Sequence, residues 1–441
     1  MKRFLLLLLT VIALSAQGQV FNNEWIDYSK TYYKFKVAVT GLYRISQPAL
    51  NSIGIGSVPA QDFQLWRNGK EVPIYTSAQS GPLTSSDYIE FWGEMNDGKP
   101  DSIMYLLGDY QLSDKWSLET DTAAFFLTVN PSGNNMRLVP TVNDVANNTL
   151  APERYFWYTF GRYFKDKINS GRSELVGDSY TYSSVYDYGE GWTSNDVANQ
   201  SSVTYSVSGI RPYTGADAPQ PFVKVNAAGN AIHPRNIQVK LNGTVVYDQP
   251  LNYYDYRKIV QAVNPSQIST GIIDLEIANT GTESLDRMVV AQAELTYAHS
   301  FDMGSVNRIA FSLDSSSVGN FLQITGFIYS GAAPVLYDLT NGQRYVAENS
   351  NPVLLKFALK PSLVPRKLVL VSEEPENAIM VNSFKQRNFV DYSLPVNQGD
   401  FLIITHPTLT NGTNGTNPIN DYKNYRSSAA GGGYNAKVYM I

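Results

Sequence analysis

The stretch Asp62–Tyr75, DFQLWRNGKEVPIY, sets the structural class. Asn and Gly tolerate the left-handed backbone that a two-residue hairpin turn needs, so Asn68-Gly69 marks a tight turn between two short strands. With the turn there, Leu65 faces Val72 and Phe63 faces Ile74, and one face of the ribbon is wholly apolar. Pro73 has no N–H to give to a ladder, which puts its strand at an edge or its nitrogen outward.

The same pattern recurs along the chain. In IQVKLNGTVVYDQ the turn is Asn242-Gly243, so Val239 is expected opposite Val246 and Leu241 opposite Thr244. KFKVAVTGLYRIS reads as strand, turn at Thr40-Gly41, strand, and IIDLEIAN and VVAQAELTY alternate at period two. RIAFSL, FLQITGF, PVLYDL and KLVLVS follow with strand character, while the aromatic run RYFWYTFGRYFKDK fits either a short helix or a strand. The 30 Tyr, 32 Gly and 22 Pro belong to a protein of many short strands and turns.

The grammar changes near the end. FLIIT at 401–405 is an unbroken apolar run of the kind a strand buried on both faces carries. A helix is expected from Ile419 to Ser428, then a strand fragment from Lys437 to Ile441. Gly431 to Gly433 follow that helix and do not precede it, so they form an exit loop and not a phosphate cradle.

The chain begins MKRFLLLLLTVIALSAQGQ, with two basic residues, an apolar run too short to cross a bilayer, and small residues at Ala16 and Gly18. This is a secretory signal over 1–18 with cleavage expected before Gln19. No comparable apolar run follows, so no transmembrane helix is expected. The 441 residues hold 34 Lys+Arg against 39 Asp+Glu, a net charge of −5, and no basic stripe that could follow a phosphate backbone, which argues against nucleic acid as a partner. There is no Cys, which excludes a thiolate nucleophile, a disulfide and a lipid-anchored amino terminus.

Chemistry-bearing residues are sparse. His233, His299 and His406 lie far apart without ligand-spaced neighbours and are read as structural. His406 ends the FLIIT strand, where α/β enzymes place functional loops, but Pro407 follows and no partner is visible. Asp97 and Asp101 in NDGKPD could offer oxygens to calcium, although the loop lacks EF-hand spacing and reads as a solvated turn. The aromatics could form a sugar-stacking face, but at strand spacing they read as core and cross-strand pairs. No catalytic, cofactor-binding or metal site is assigned.

Taken in order, YYKFKVAVTGLYRIS, DFQLWRNGKEVPIY, DYIEFWGEMNDGKPDS, FLIITHP and YRSSAAGGGYNAKV resemble the N-terminal region of gingipain-type cysteine peptidases, in particular the PorU-like sortases of the type IX secretion system of Bacteroidota. The strand spacing gives tandem β-sandwich or jelly-roll domains over 19–150, 151–300 and 301–395, the last being a third β domain or a sheet leaning on the second, and the resemblance implies that 396–441 is the truncated start of a caspase-like α/β domain. In that family a His followed by Gly and a downstream Cys form the catalytic dyad. Here His406 is followed by Pro and no Cys exists, so no catalytic residue carries over and the chain alone is expected to be inactive. The resemblance further implies export to the periplasm, outer-membrane surface or exterior, with secretion-system components and secreted cargo as partners. The alternative is a non-enzymatic exported β module that binds glycan or protein at the cell surface. Oligomeric state is not readable.

Overall fold

The computed structural model describes residues 23–131 and 133–441, so the expected signal segment lies outside the described residues. Two compact units are present, 34–384 and a smaller one that combines the described residues up to 33 with 385–441. The chain is mainly β, with the short helices Gln47–Ser52 and Pro418–Ser427 and several single 3-10 turns.

In the larger unit the Asn-Gly ribbon forms as read. Phe63–Arg67 pairs with Lys70–Val72, Leu65 lies opposite Val72, and Asn68 and Gly69 both take positive φ, 47° and 73°. The ladder stops at Val72, however, and Phe63 lies opposite Val129 of the strand Ala123–Val129 instead of Ile74. Pro73 explains this, because it cannot continue the hydrogen-bonded register. A second small sheet contains Gly41–Ser46, Tyr88–Gly93 and Ala378–Met380. Between the two, Phe35, Phe91 and Phe125 pack with ring centroids 5.6–5.8 Å apart, and Tyr43 stacks on Phe91 at 5.5 Å.

The centre of this unit is a ten-stranded sheet built from residues between 139 and 371. The 13-residue strand Arg287–His299 lies between Phe222–Gly229 and Phe156–Tyr163, which resolves the aromatic run as a strand. Phe156–Tyr163 then meets Arg308–Leu313, which pairs with Arg366–Val371. Strands from both sides of residue 300 thus share one sheet.

Two four-stranded sheets complete two cores. Ser201–Ser208, Ile272–Asn279, Asn236–Leu241 and Thr244–Pro250 form the first. Its Ile237, Val239, Ile273, Leu275 and Ile277 meet Val223, Val225, Val290 and Leu295 of the long sheet. The Asn242-Gly243 hairpin forms, but a bulge after Val239 places that residue opposite Tyr247, not Val246, while Leu241 keeps Thr244. The second four-stranded sheet, which includes Asn320–Phe327 and Leu354–Leu359, buries Leu322, Ile324, Leu355 and Phe357 against Phe156, Phe311, Leu368 and Leu370. Along Arg366–Val371 the alternate residues Val369 and Val371 face another core with Leu42, Val335 and Tyr337. The run KLVLV is therefore apolar because both of its faces are covered.

Two fully buried ion pairs brace these sheets. Arg235 and Asp286 meet at 2.5 Å and Arg366 and Asp338 at 2.5 Å, with no exposed surface on any of the four side chains. Arg235 also donates to the carbonyls of Ala231 (3.0 Å), Leu251 (2.9 Å) and Tyr253 (2.7 Å). A buried guanidinium has five N–H donors to satisfy, and those carbonyls complete the set.

In the smaller unit Phe401–Thr405 and Ala436–Met440 form a parallel pair joined through the helix Pro418–Ser427. Asn417 caps that helix by accepting from Asn420 N at 3.0 Å. Arg426, in its last turn, lies 4.3 Å from the ring centre of Phe401 and 4.7 Å from that of Tyr434. The expectation that FLIIT is buried on both faces is corrected here: Leu402 and Ile404 are 57% and 68% exposed. The physical reason is that the helix packs by its Arg426 end on the face that carries Phe401, while the alternating side chains point the other way.

Candidate functional site

The three histidines stay apart in role. His299 is buried, stacks on Phe156 at 4.6 Å, and places Nδ1 2.5 Å from the carbonyl of Ser300. Burial pulls its pKa below the ordinary imidazole value. His406 caps a 3-10 turn, with Nδ1 accepting from Thr408 N at 3.2 Å and 2.8 Å from Thr408 Oγ1. His233 is half-buried, and its carbonyl accepts from Tyr253 N at 3.0 Å.

The two loop carboxylates have separate partners. Asp97 pairs with Lys99, and buried Asp101 accepts from Leu118 N at 2.7 Å and from Ser117 Oγ at 3.4 Å. Asp97 and Lys99 line a cleft of 460 Å³ together with Arg67, Trp92, Glu94 and Lys367. There Glu94 is shared by Lys367 and, at 3.9 Å, Arg67, whose Nη2 donates to Met95 O at 2.8 Å. Opposite charges answer one another across this cleft. Among the described residues no three His, Cys, Asp or Glu side chains gather where they could hold a metal ion.

A constellation of charged residues that sequence reading missed lies deeper. Arg44 contacts Glu90 and Glu373, each at 2.6 Å, and Arg344 reaches Glu373 at 2.9 Å. Tyr337 donates its hydroxyl to Glu90. Arg44 also lies 4.4 Å from the ring centre of Tyr88, and Arg344 lies 4.3 Å from that of Tyr75. Burial raises the Glu90 carboxyl above its ordinary range against the pull of Arg44, and it lifts the Tyr337 hydroxyl well above its own. Burial, with the charge of Glu90, pushes Tyr88 up to about 12. Perturbed groups of this kind mark active sites when they face a cleft. Glu90 has no exposed side-chain surface, so the cluster acts as a strut between the Tyr88–Gly93 strand and the long sheet. Its ion-paired members are 29 to 329 residues apart, and no local motif could announce them.

In the smaller unit the open face of the parallel pair forms a depression of 460 Å³ lined by Tyr392, Gln398, Leu402, Ile404, Tyr439 and Ile441. Hydroxyl–imidazole or thiol–imidazole pairs are absent from the hydrogen bonds of all these places among the described residues, apart from the His406–Thr408 cap.

These features define a mainly β, multi-sheet protein that closes on a parallel strand–helix–strand element. That is the fold of the crystallised dimeric latent PorU from Porphyromonas gingivalis, with a TM-score of 0.58 at 11% identity. The match covers 94% of this chain and 37% of the PorU chain, so the sequence spans little more than a third of that protein's length. Local overlaps occur with a carbohydrate-binding module, CBM36, in complex with calcium and xylotriose (14% identity, 31% of this chain, 98% of that one) and with CBM35 from Cellvibrio japonicus Abf62 (12%, 32% and 97%). Both have a TM-score of 0.20 and carry no argument about this chain. No protein-family model matches the chain, and no curated protein matches its sequence.

Proposed function

We propose that the chain is the exported, non-catalytic β-rich portion of a type IX secretion protein of the PorU kind, which presents binding surfaces and performs no peptide cleavage by itself. The fold shared with PorU over nearly the whole chain supports this reading most directly. The lack of any Cys supports the non-catalytic part, since a thiolate nucleophile needs one. No helix among the described residues is long and apolar enough to cross a membrane, which is compatible with a periplasmic, outer-membrane-surface or extracellular place. Its partners on this reading are secretion-system components and secreted cargo.

Fractionation of the native host, followed by in-cell cross-linking and mass spectrometry, tests the proposal. The chain is expected in the envelope or exterior, cross-linked to type IX components or their cargo. Recovery from the cytoplasm without those partners would overturn it. The runner-up, a surface module that binds glycan, is favoured by one specific cleft in the larger unit.

A further inference from the structure

Tyr253 is a tyrosine where the backbone calls for glycine. Its φ is +55°, in the left-handed region that side chains with a Cβ rarely adopt. Core packing does not require the ring, because the residue is 57% exposed. The main chain beneath it is nevertheless clamped. Tyr253 N donates to His233 O at 3.0 Å, and its carbonyl accepts from Arg235 Nη1 at 2.7 Å. Arg235 is itself fixed by Asp286, with Nε to Oδ1 at 2.7 Å. Gly229 lies below, where a Cβ would overlap both Tyr253 O and Arg235 Nη1. Strain held by a fully buried ion pair points to a use for the ring it displays.

That ring borders a cleft of 680 Å³ whose walls include Arg172, Glu174, Tyr188, Asn252, Tyr254 and Asp255. The charges in it are already matched: Arg172 meets Glu174 at 2.6 Å and Asp255 meets Arg257 at 2.7 Å. A charged ligand would have to break one of these pairs, whereas a neutral one would not. Tyr254 accepts at its hydroxyl oxygen from Ser173 Oγ at 2.8 Å. The Asn252 amide and the Tyr253 hydroxyl make no side-chain hydrogen bond among the described residues, so a donor–acceptor amide and a phenol remain open to a ligand. Aromatic walls with a few convergent polar groups suit a flat-faced molecule that is rich in hydroxyls.

We infer that this cleft binds a neutral saccharide, stacked on Tyr253 and hydrogen-bonded by Asn252. The inference stands apart from the secretory reading, because it concerns the cleft alone. The test is affinity electrophoresis of the whole chain through gels that contain neutral polysaccharides (xylan, mannan, soluble starch, laminarin) or acidic ones (alginate, polygalacturonate, heparin). At least one neutral polymer is expected to retard the chain, and the acidic ones are not. Tyr253→Gly removes the ring while relaxing the left-handed backbone, so it should weaken retardation at least tenfold with no loss of thermal stability. Asn252→Ala should weaken it too, and Tyr422→Ala, on the other unit, should leave it unchanged. Retardation by acidic polymers alone, by none of the polymers, or equally in the Tyr253→Gly variant would overturn the inference. So would capture at this cleft of a protein in place of any glycan.

Discussion

Replacing Asp286 by Asn tests how much the buried Arg235–Asp286 pair contributes. The substitution keeps the shape of the side chain and its acceptor oxygen but removes the charge that faces Arg235 Nε at 2.7 Å and Nη2 at 2.5 Å. Neither side chain has exposed surface, so water cannot take over the lost charge. Breaking such a pair from one side costs about 3–5 kcal/mol, since the surviving ion stays buried and unpaired. The three carbonyls that Arg235 also reaches, of Ala231, Leu251 and Tyr253, solvate the cation and place the expected loss near the lower end, about 3 kcal/mol. Arg235→Met should cost at least as much, because three carbonyls lose a donor worth about 1 kcal/mol each and Asp286 keeps only Asn279 Nδ2 at 3.0 Å. Urea unfolding followed by circular dichroism measures this, with the denaturant slope checked for constancy. Hydrogen exchange at Leu251 and Tyr253, whose amides donate to Arg235 O and His233 O, should accelerate in both variants. The surface pair Lys258–Asp109 is the comparison, and Lys258→Ala should lose under about 1 kcal/mol. If Asp286→Asn were no more destabilising than Lys258→Ala, the pair would not be what holds the Tyr253 turn.

Gly161→Ala would set a Cβ against Ala293 O and 2.9 Å from Glu294 Cα, and should destabilise the chain by about 1–3 kcal/mol in the same urea assay. His299 has its pKa lowered below the ordinary 6.5, so its contribution to stability is present above that value and is lost as pH falls below it. His299→Phe should therefore flatten the decline in unfolding midpoint on acidification through that range, and an unchanged decline would assign it to other groups. Limited proteolysis is expected to cut first between Thr410 and Gly433, where most side chains are exposed, with fragment masses as the readout. Intact mass of the protein from its host should begin at Gln19, and retention of Met1 would remove the signal segment.

What could be read ahead of the structure was what depends on neighbouring residues. Asn68-Gly69 and Asn242-Gly243 announced their hairpins because positive φ at two successive positions is a local demand. The bulge after Val239 was not announced, since it answers to partners across the sheet. RYFWYTFGRYF stayed ambiguous because aromatic residues stand on both faces of its strand, the buried one at Phe156 and the more open one at Trp157, which blurs the polar alternation. KLVLV and FLIIT show the limit of that signal: the first is covered on both faces, whereas Leu402 and Ile404 of the second are open. The Glu90 cluster and the Tyr253 cleft were invisible for a different reason. Each is assembled from segments scattered along the chain, and nothing in the letters around Tyr253 marks a left-handed backbone.

Strand order in the larger unit has a consequence for how the protein comes into being. Gly41–Ser46 lies in parallel register with Ala378–Met380, and Arg44 waits for Glu373, 329 residues later. The hydroxyl of Tyr163 likewise meets Glu294 after 131 intervening steps of chain. Pairings this remote close large loops before any contact repays their entropy, which places such topologies among the slow folders. A polypeptide emerging amino terminus first would match one edge of Gly41–Ser46 early, with Tyr88–Gly93, and hold the other edge bare until Ala378–Met380 had arrived. Emergence from the amino terminus and final architecture are thus at odds in this molecule for as long as residues 41 to 380 are incomplete.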